Sequence, residues 1–393
     1  AFGSYYETLP KGIRMAVFRQ VQTTDINSAY DRQKMEQDYF FRVNLDATSI
    51  EDANATLKSL FQQVKGISQQ AYEQLTFGEY QAQGKANVKV NGYGAAFGLT
   101  NRTTLYGVFP YYDARVDLDI KRTKQNNYLQ VAKSLEAQGD STGAQILSQV
   151  APSLPDINEG VVQSLIVNYL GYQPLGSWRG EGLADIELGF LTRLTDWTYS
   201  GLALSAGVVL PTGREDDPDN LVDFGFGDGQ TDVFLEFGGG FTIPDTRWSF
   251  DSWGRFTYQF EHNREMRIPE SRDYPYGSES AIFQEKLGNM YDLSARSTYQ
   301  AFRWLGISGQ YSYQYVGEAE YNSPYTEANE IKAIDTERSS HSVRGTLHFS
   351  TVPLYKSGDF FLPFDTNLSV QTITGGMNQP RFSRYDVEFR FYF

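Results

Sequence analysis

The sequence predicts an all-β transmembrane fold: an antiparallel, up-and-down outer-membrane β-barrel of about twelve strands, with helical insertions in two loops. Three observations predict it. Apolar and polar residues alternate in segments near the ~10 residues that a tilted membrane strand needs. Short connections alternate with long ones. Aromatic residues make up 15% of the chain, and such residues suit pleated, half-buried surfaces.

Composition excludes several function classes. Cysteine is absent, so disulfides and thiol catalysis are excluded, and three histidines argue against a histidine-rich metal site. The net charge of −14 argues against nucleic acid as a partner. Mean hydropathy is −0.46, as expected if strands meet lipid only at every second residue. We expect no cofactor, and we expect the 393 residues to form a single barrel from which a signal peptide has been removed.

The last segment of the chain shows the alternation best. Its apolar face carries Tyr385, Val387, Phe389, Phe391 and Phe393. Its polar face carries Asp386, Glu388 and Arg390. A soluble sheet would rarely end on such a phenylalanine, and the segment resembles the C-terminal strand by which outer-membrane barrels are recognised for assembly.

Upstream segments continue the ladder in chain order. The first strand is predicted near 13–21, and further alternating segments lie at 184–194, 232–243, 248–261, 292–299, 343–349 and 362–371. An even count of twelve places both termini on the periplasmic side. Residues 38–46 also alternate. They either extend a loop hairpin above the membrane or raise the count to fourteen, and we favour twelve.

The connections fit the same topology. Short turns are predicted near Asn101, Asp196, Asp245, Ala301 and Ser357, and long polar loops at about 122–180, 212–229, 264–285 and 320–338. Barrels of this type have short periplasmic turns and long external loops. Trp197, Trp248 and Trp304 each follow a short turn, where an interfacial aromatic girdle is expected.

Two helical insertions are predicted inside this β chain, at residues 49–75 and 127–170. In the first, Ser49 with Asp52 resembles a capping pair. The second is broken by Pro152 and Pro155. The helices either pack on each other and cap the barrel mouth, or form a lid, plug or partner-binding surface. In the twelve-strand register both insertions are external loops.

Charged residues of both signs are predicted to line the lumen, at the positions Arg14, Lys89, Arg115, Asp117, Asp185, Glu187, Arg193, Asp232, Glu236, Asp251, Arg255, Arg296, Arg344, His348 and Glu388. Such a lining either surrounds a conducting or gated path or forms a salt-bridged interior with no path through it.

Metal binding and catalysis are both weakly indicated. The acidic stretch near Asp216, Asp217 and Asp219 is a weak Ca²⁺ candidate, because hard cations take oxygen ligands, but we favour a solvated loop. His341 and Ser342 point to opposite faces of a strand. His348 and Ser350 share a face, with no visible third group to orient them, so we expect no enzyme.

Three segments resemble a known family. They are GAAFGLTNRTTLYGVFP at Gly94–Pro110, GEGLADIELGFLTRLTD and GLALSAGVVLPTGR within Gly180–Arg214, and FGFGDGQTDVFLEFG at Phe224–Gly238. They resemble the outer-membrane family called "MetA-pathway of phenol degradation", which is distantly similar to fatty-acid and aromatic-hydrocarbon transporters. The resemblance covers about 90–115 and 180–260. It implies import of small organic compounds, including hydrophobic or aromatic ones. The helical insertions depart from the family. About ten residues precede the first strand, so we expect no N-terminal plug.

The expected function is a channel or transporter of the bacterial outer membrane that passes small solutes, with access controlled by the helical loops. Its expected partners are outer-membrane lipid, lipopolysaccharide and the solute, with a homo-oligomer or a surface partner as further options. The rival hypothesis is a closed barrel that acts as a surface scaffold or adhesin.

Overall fold

A computed structural model describes residues 4–47, 55–150, 158–272 and 275–393. Twelve antiparallel strands form a closed ring in which each strand pairs with the next along the chain, and the last pairs with the first. The predicted twelve-stranded barrel is therefore confirmed. The barrel strands are β1 Arg14–Thr23, β2 Thr76–Gly98, β3 Thr103–Lys124, β4 Ile186–Arg193, β5 Ser200–Leu210, β6 Asp232–Thr242, β7 Trp248–Gln259, β8 Met290–Phe302, β9 Leu305–Val316, β10 Arg338–Ser350, β11 Phe364–Met377 and β12 Ser383–Tyr392.

Alternation along each strand separates an apolar outer face from a polar inner face. In β6, Val233, Leu235 and Phe237 are 41%, 51% and 49% exposed, whereas Asp232 and Phe234 are buried. Neighbouring strands repeat this pattern, so the exposed apolar side chains form a continuous belt around the barrel. Such a belt suits hydrocarbon, while the closed ring leaves no unpaired strand edge inside a membrane.

The ring closes where β1 meets β12. Arg19 lies directly opposite Glu388, and Phe18 lies opposite Phe389. Because side chains alternate with a period of two, this register places the two charged residues on the inner face and the two rings on the outer face. Every inward position of the seam is fixed by this pairing.

Strands β2 and β3 are the longest, at 23 and 22 residues, and they extend beyond the belt on the side of the long loops. Phe40–Asp46 pairs with the start of β2, and Trp178–Leu183 pairs with β3. Residues 38–46 therefore extend a hairpin above the barrel, as one of the two sequence interpretations held, and do not raise the strand count to fourteen.

The helical insertions supply five of the helices in the described chain. The helices there are α1 Ala55–Ile67, α2 Gln69–Gln74, α3 Tyr128–Ala137, α4 Ser141–Val150, α5 Glu159–Ser164, α6 Thr326–Ala333 and α7 Val352–Ser357, with a π-helical turn at Leu165–Tyr169. The predicted Ser49–Asp52 cap and Pro152 with Pro155 lie outside the described residues. Within those residues, no helix combines the length and the apolar character needed to cross a bilayer.

The two insertions pack on each other. Phe61 of α1, Phe77 at the start of β2, and Tyr128 and Leu147 of the second insertion belong to one buried cluster. The Phe77 ring lies 5.3 Å from that of Phe61 and 5.0 Å from that of Tyr128, both nearly edge-on. The helices thus bury their apolar stripes internally, as amphipathic helices usually do.

Small sheets cover other parts of the loop side. His262–Arg267, Ser280–Lys286 and Glu320–Asn322 form one sheet. Ser28–Tyr30, Glu36–Asp38 and Gln379–Arg381 form another. At the opposite end the connections are short, and α7 occupies the turn between β10 and β11. Trp197, Trp248 and Trp304 lie exposed at this end, in keeping with the predicted aromatic girdle.

Candidate functional site: the barrel lumen

The barrel encloses a cavity of about 710 Å³, within the ~300–1,000 Å³ range of pockets that take small ligands. Its lining is mostly polar and comes from nine barrel strands and from the connection between β11 and β12. The side chains that line it are Arg19, Val209, Asp232, Glu236, Trp253, Arg255, Thr257, Met290, Asp292, Ser294, Gln310, Ser312, Gln314, Ser340, Ser342, Arg344, Gln371, Ile373, Gln379, Phe382 and Arg384.

Three arginines gather on one side of this cavity. Arg19 of β1 binds Asp386 of β12 at 2.7 Å, and Arg344 of β10 binds the same carboxylate. Arg384 of β12 donates to Gln371 of β11 at 2.7 Å. Asp386 is almost fully buried, at 2% exposure of its side chain. We call Arg19, Arg344 and Arg384 the arginine wall.

Carboxylates gather on strands β4, β6 and β8. Glu187 of β4 accepts a bond from Arg255 at 2.8 Å. Glu236 of β6 accepts the phenol proton of Tyr5 at 2.8 Å, and Asp292 of β8 accepts from Gln314 at 2.8 Å. We call Asp232, Glu236 and Asp292 the carboxylate wall. Within the described chain, no ion pair joins any of these three to a cation.

The N-terminal segment reaches into the barrel from the short-turn end. The Tyr5 ring stacks on that of Trp253 at 5.6 Å, and its backbone N–H donates to Asp251 at 3.0 Å. The Leu9 backbone N–H donates to Thr104 at 2.8 Å. The expectation that the residues before β1 form no plug is therefore wrong for this stretch. Although this segment is short, its extended chain places the Tyr5 ring against Trp253 and Glu236, which line the cavity at the end of the barrel with the short turns.

A chain of hydrogen bonds crosses the inner face near the short-turn end. His348 Nε2 lies 2.8 Å from Ser308 Oγ, and His348 Nδ1 lies 2.8 Å from Asn367 Oδ1. Asn367 donates in turn to Glu388 at 2.8 Å. The sequence interpretation paired His348 with Ser350 and found no third group. The actual partners come from neighbouring strands, which spacing along one strand does not reveal.

This serine–histidine–amide order is found in hydrolases, but its surroundings here differ. Ser308 is 5% exposed and does not line the cavity. A nucleophile needs room for a reacting carbonyl beside its oxygen. The chain of bonds therefore stabilises the packing of β9, β10 and β11.

The acidic loop at the outer mouth is bound by arginines. Arg264 binds Asp216 and lies 3.4 Å from Glu215, and Arg267 binds Asp219 at 2.7 Å. Asp217 accepts from Gln173 at 2.7 Å. Among the described residues, no group of three or more candidate ligands is placed to hold a metal ion. The carboxylates considered for Ca²⁺ instead attach the loop to the external sheet and to the second helical insertion.

That attachment is reinforced beneath the loop. Tyr321 donates to Glu285 at 3.0 Å, and Glu285 lies 3.5 Å from Arg264. Burial, and then the charge of Glu285, raise the pKa of the Tyr321 phenol. The phenol consequently stays protonated and keeps donating across the physiological pH range.

Nine predicted lumen residues face the interior within the barrel. Asp232, Glu236, Arg255 and Arg344 line the cavity itself. Five others contact inward-facing groups. Glu187 binds Arg255, Asp251 and Arg296 bind each other, His348 is hydrogen-bonded to Ser308, and Glu388 binds Arg390. Two more flank β4 at its ends. Asp185 accepts from the Gly213 backbone at 2.8 Å near the mouth, and Arg193 lies 3.2 Å from Asp196 beside a short turn.

Four predicted lumen residues lie on the outer face. Arg14 pairs with Phe393 at the rim, and the register that turns Arg19 inward turns Arg14 outward. Lys89, Arg115 and Asp117 lie on the outward face of β2 and β3, where these strands extend beyond the belt. There the outer face of these strands is in contact with water. A charged residue in this part of a strand can therefore lie on either face, and its charge does not show that it faces the lumen.

Sequence reasoning also missed cavity residues, chiefly Arg19, Asp292 and Arg384. The available signal was strand parity. Arg384 lies two residues from Asp386, on the polar face of the best-defined strand, and Asp292 lies four residues before Arg296. The inward position of Arg19 was not predicted, because Arg14, five residues earlier, was assigned to the inner face. Positions five apart on a strand face opposite sides.

Comparison with known proteins gives similarity at the level of structure. No protein-family model and no curated protein sequence matches the chain. A crystal structure of an outer membrane channel from Pseudomonas putida F1 aligns over 99% of this chain and 98% of its own, with 13% identity and a TM-score of 0.54. The Ralstonia pickettii toluene transporter TbuX aligns over 98% of this chain and 90% of its own, at 8% identity and a TM-score of 0.36. The P. putida toluene transporter TodX aligns over the same shares, at 11% identity and 0.35.

The similarity to the P. putida F1 channel is one of fold. The ring of twelve strands, the apolar belt and the polar interior of this chain are the features expected of such a barrel fold. The chain therefore has the fold of an outer-membrane channel, a closed twelve-stranded β-barrel with helical insertions in its external loops.

Proposed function

We propose that this protein is a channel of the bacterial outer membrane through which small solutes pass. The observation that carries the proposal is the cavity of about 710 Å³, lined by charged and polar side chains, inside a barrel whose outer face is apolar. A polar interior of this kind lines a water-filled path in other barrels. The channel fold described above supports the same function.

We also propose that the helical insertions control access from the outer side. The end of the second insertion reaches the loops of the mouth, because Arg267 donates to the Leu170 carbonyl at 3.3 Å. The residues that follow continue this contact, since the Gln173 N–H donates to the Asp219 carbonyl at 2.8 Å. The first insertion is held to the second through Phe77. Both insertions therefore form one unit with the outer mouth. Above the belt, outward charges such as Lys89 support lipopolysaccharide as the neighbouring lipid.

Single-channel recording in planar bilayers tests the channel. We expect discrete conductance steps from the purified, detergent-refolded protein, and swelling of liposomes that contain it when a small solute is supplied. A heat-modifiable band on denaturing gels is the control for folding. A folded barrel that gives neither conductance nor swelling would favour the scaffold function instead.

The Phe77→Ala variant tests access control. Removing this buried ring costs about 3–5 kcal/mol in comparable cores, so we expect the helical unit to loosen while the barrel persists. The expected result is a larger or more fluctuating conductance, with reduced helical signal in circular dichroism. Leu129→Ala, at an exposed position of α3 (62%), is the matched control. An unchanged current despite melted helices would contradict a gating role.

A further inference from the structure

We propose that the lumen favours small solutes that carry both a cationic and an anionic group over neutral or hydrophobic solutes of the same size. This inference rests on the proposed channel function and names its solute class. The observation behind it is the segregation of charge inside one cavity. Arginines lie on one side of that cavity and carboxylates on the other.

The arginine wall carries excess positive charge. Two of its three guanidinium groups, those of Arg19 and Arg344, contact the same carboxylate, that of Asp386. Arg384 makes its side-chain hydrogen bonds to the neutral amide of Gln371, at 3.1 and 2.7 Å, and no ion pair joins it to any acid of the described chain. A guanidinium held in this way keeps donors for a carboxylate or another anion.

The carboxylate wall carries excess negative charge. Among the described residues, Asp292 accepts a side-chain hydrogen bond from the amide of Gln314, Glu236 accepts one from the phenol of Tyr5, and neither forms an ion pair. The neighbouring Arg255 is engaged by Glu187 at 2.8 Å and lies 3.7 Å from the centre of the Phe234 ring. Among the described residues of β6 to β8 that line the cavity, Arg255 is the one cation. It lies opposite both Glu236 and Asp292 in the strand register, but its ion pair is with Glu187.

The two walls face each other across the ring. Strand β12, with Arg384, lies six strands from β6, with Glu236, whichever way the ring of twelve is followed. By the shorter way round the ring, Arg19 of β1 lies five strands from Glu236 and Arg344 of β10 lies four strands from it. Asp292 of β8 and Arg344 of β10, two strands apart, are the members of the two walls that come nearest in the strand order. In the described chain no ion pair joins a carboxylate of one wall to an arginine of the other, because the wall arginines that form ion pairs bind Asp386.

A field directed across the lumen distinguishes solutes by their dipole. An amino-acid-like solute can turn its carboxylate toward the arginine wall and its ammonium toward the carboxylate wall. An ion of single charge is attracted by one wall and repelled by the other. A neutral aromatic solute gains neither contact and must displace water from charged groups. Solutes with both charges are therefore favoured.

Liposome swelling with serine and erythritol tests the inference, because the two solutes are similar in size and only serine is zwitterionic. We expect severalfold faster swelling with serine for the unmodified protein. Arg384→Gln and Asp292→Asn should each abolish most of that advantage, and Arg384→Lys, which keeps the charge, should retain much of it. Arg115→Gln and Asp117→Asn, which change charges on the outer face, are the matched controls and should leave the ratio unchanged.

Reversal potentials in a salt gradient provide a second readout on the same variants. Arg384→Gln should shift selectivity toward cations, and Asp292→Asn should shift it toward anions. Equal swelling rates for serine and erythritol in the unmodified protein would overturn the solute class while leaving the channel function intact. Absence of swelling with either solute, from protein shown to be folded, would overturn both.

Discussion

Asp386 joins three strands of the barrel through one side chain. It lies on β12 and contacts Arg19 of β1 and Arg344 of β10, with only 2% of its side chain exposed. Removing a buried carboxylate that binds two guanidinium groups is destabilising mainly because it leaves both arginines without their shared anionic partner. Each arginine would then keep its charge in a confined space with another arginine close by.

The Asp386→Asn variant should therefore be measurably less stable. Loss of a charged hydrogen-bond partner costs about 1–3 kcal/mol, and we expect a loss of about 2 kcal/mol, seen as a lower urea midpoint in detergent micelles. Asp113→Asn removes an exposed partner of Arg179 and should cost less than about 1 kcal/mol. Equal midpoints for the two variants would contradict a stabilising role for Asp386.

At the scale of single residues, strand parity was the strongest guide that the sequence offered. Parity predicts that Glu236, Arg255 and Arg344 face the lumen, and all three side chains line the cavity. Parity gave the wrong face for Arg14 in β1. Arg14 and Arg19 are an odd number of positions apart, so only one of them can face the lumen, and the apolar residues around them do not indicate which. Contacts between strands, such as those of His348 with Ser308 and Asn367, depend on register, which a single strand does not contain.

The N-terminal segment is the element most directly placed to restrict the cavity. Tyr5 covers Trp253, which lines the cavity, and engages Glu236 of the carboxylate wall. It enters from the short-turn end, whereas the helical unit lies at the other end. The N-terminal segment and the helical unit therefore lie at opposite ends of the barrel.

Replacing Tyr5 with alanine should widen the floor of the cavity. We expect a higher single-channel conductance, because the ring and its bond to Glu236 are both removed. Tyr355→Ala, at a half-exposed tyrosine of a turn helix (49%), is the matched control. A conductance that does not differ between the two variants would show that the segment leaves the narrowest point unaffected.

At the scale of elements, periodicity predicted which segments are strands and helices but not how far each strand extends. The insertion helices were predicted from apolar residues at three- and four-residue steps, and the described residues of these two stretches contain helices at 55–67, 69–74, 128–137, 141–150 and 159–164. Lys89, Arg115 and Asp117 were misplaced because β2 and β3 continue past the membrane. Alternation persists there, but water lies on both sides, so the meaning of a charged position changes.

The whole molecule depends on its apolar belt. Leu293 of β8 and Leu235 of β6 are 58% and 51% exposed, which would be unfavourable for a protein surrounded by water alone. Their exposure is consistent only with an apolar solvent around the barrel. The apolar belt could be predicted from the sequence because apolar residues alternate with polar ones in many segments. An error at a single position does not change that pattern.

Leu293→Arg should weaken membrane insertion strongly. An arginine on the lipid face costs about 2–4 kcal/mol near the bilayer midplane, so we expect a lower urea midpoint for folding into vesicles. Ile282→Arg is the matched control, because Ile282 has the same 58% exposure but lies in the external sheet. Comparable losses for both variants would place the belt elsewhere.

The seam between β1 and β12 also has a consequence for biogenesis. Its two strands are more than 350 positions apart in the sequence, as the pairing of Arg19 with Glu388 shows, so the ring remains incomplete until β12 is in place beside β1. Before that moment both strands present rows of unpaired backbone groups, the kind of edge that invites aggregation. Any factor that assembles this barrel must therefore shield two distant segments at once and release them together.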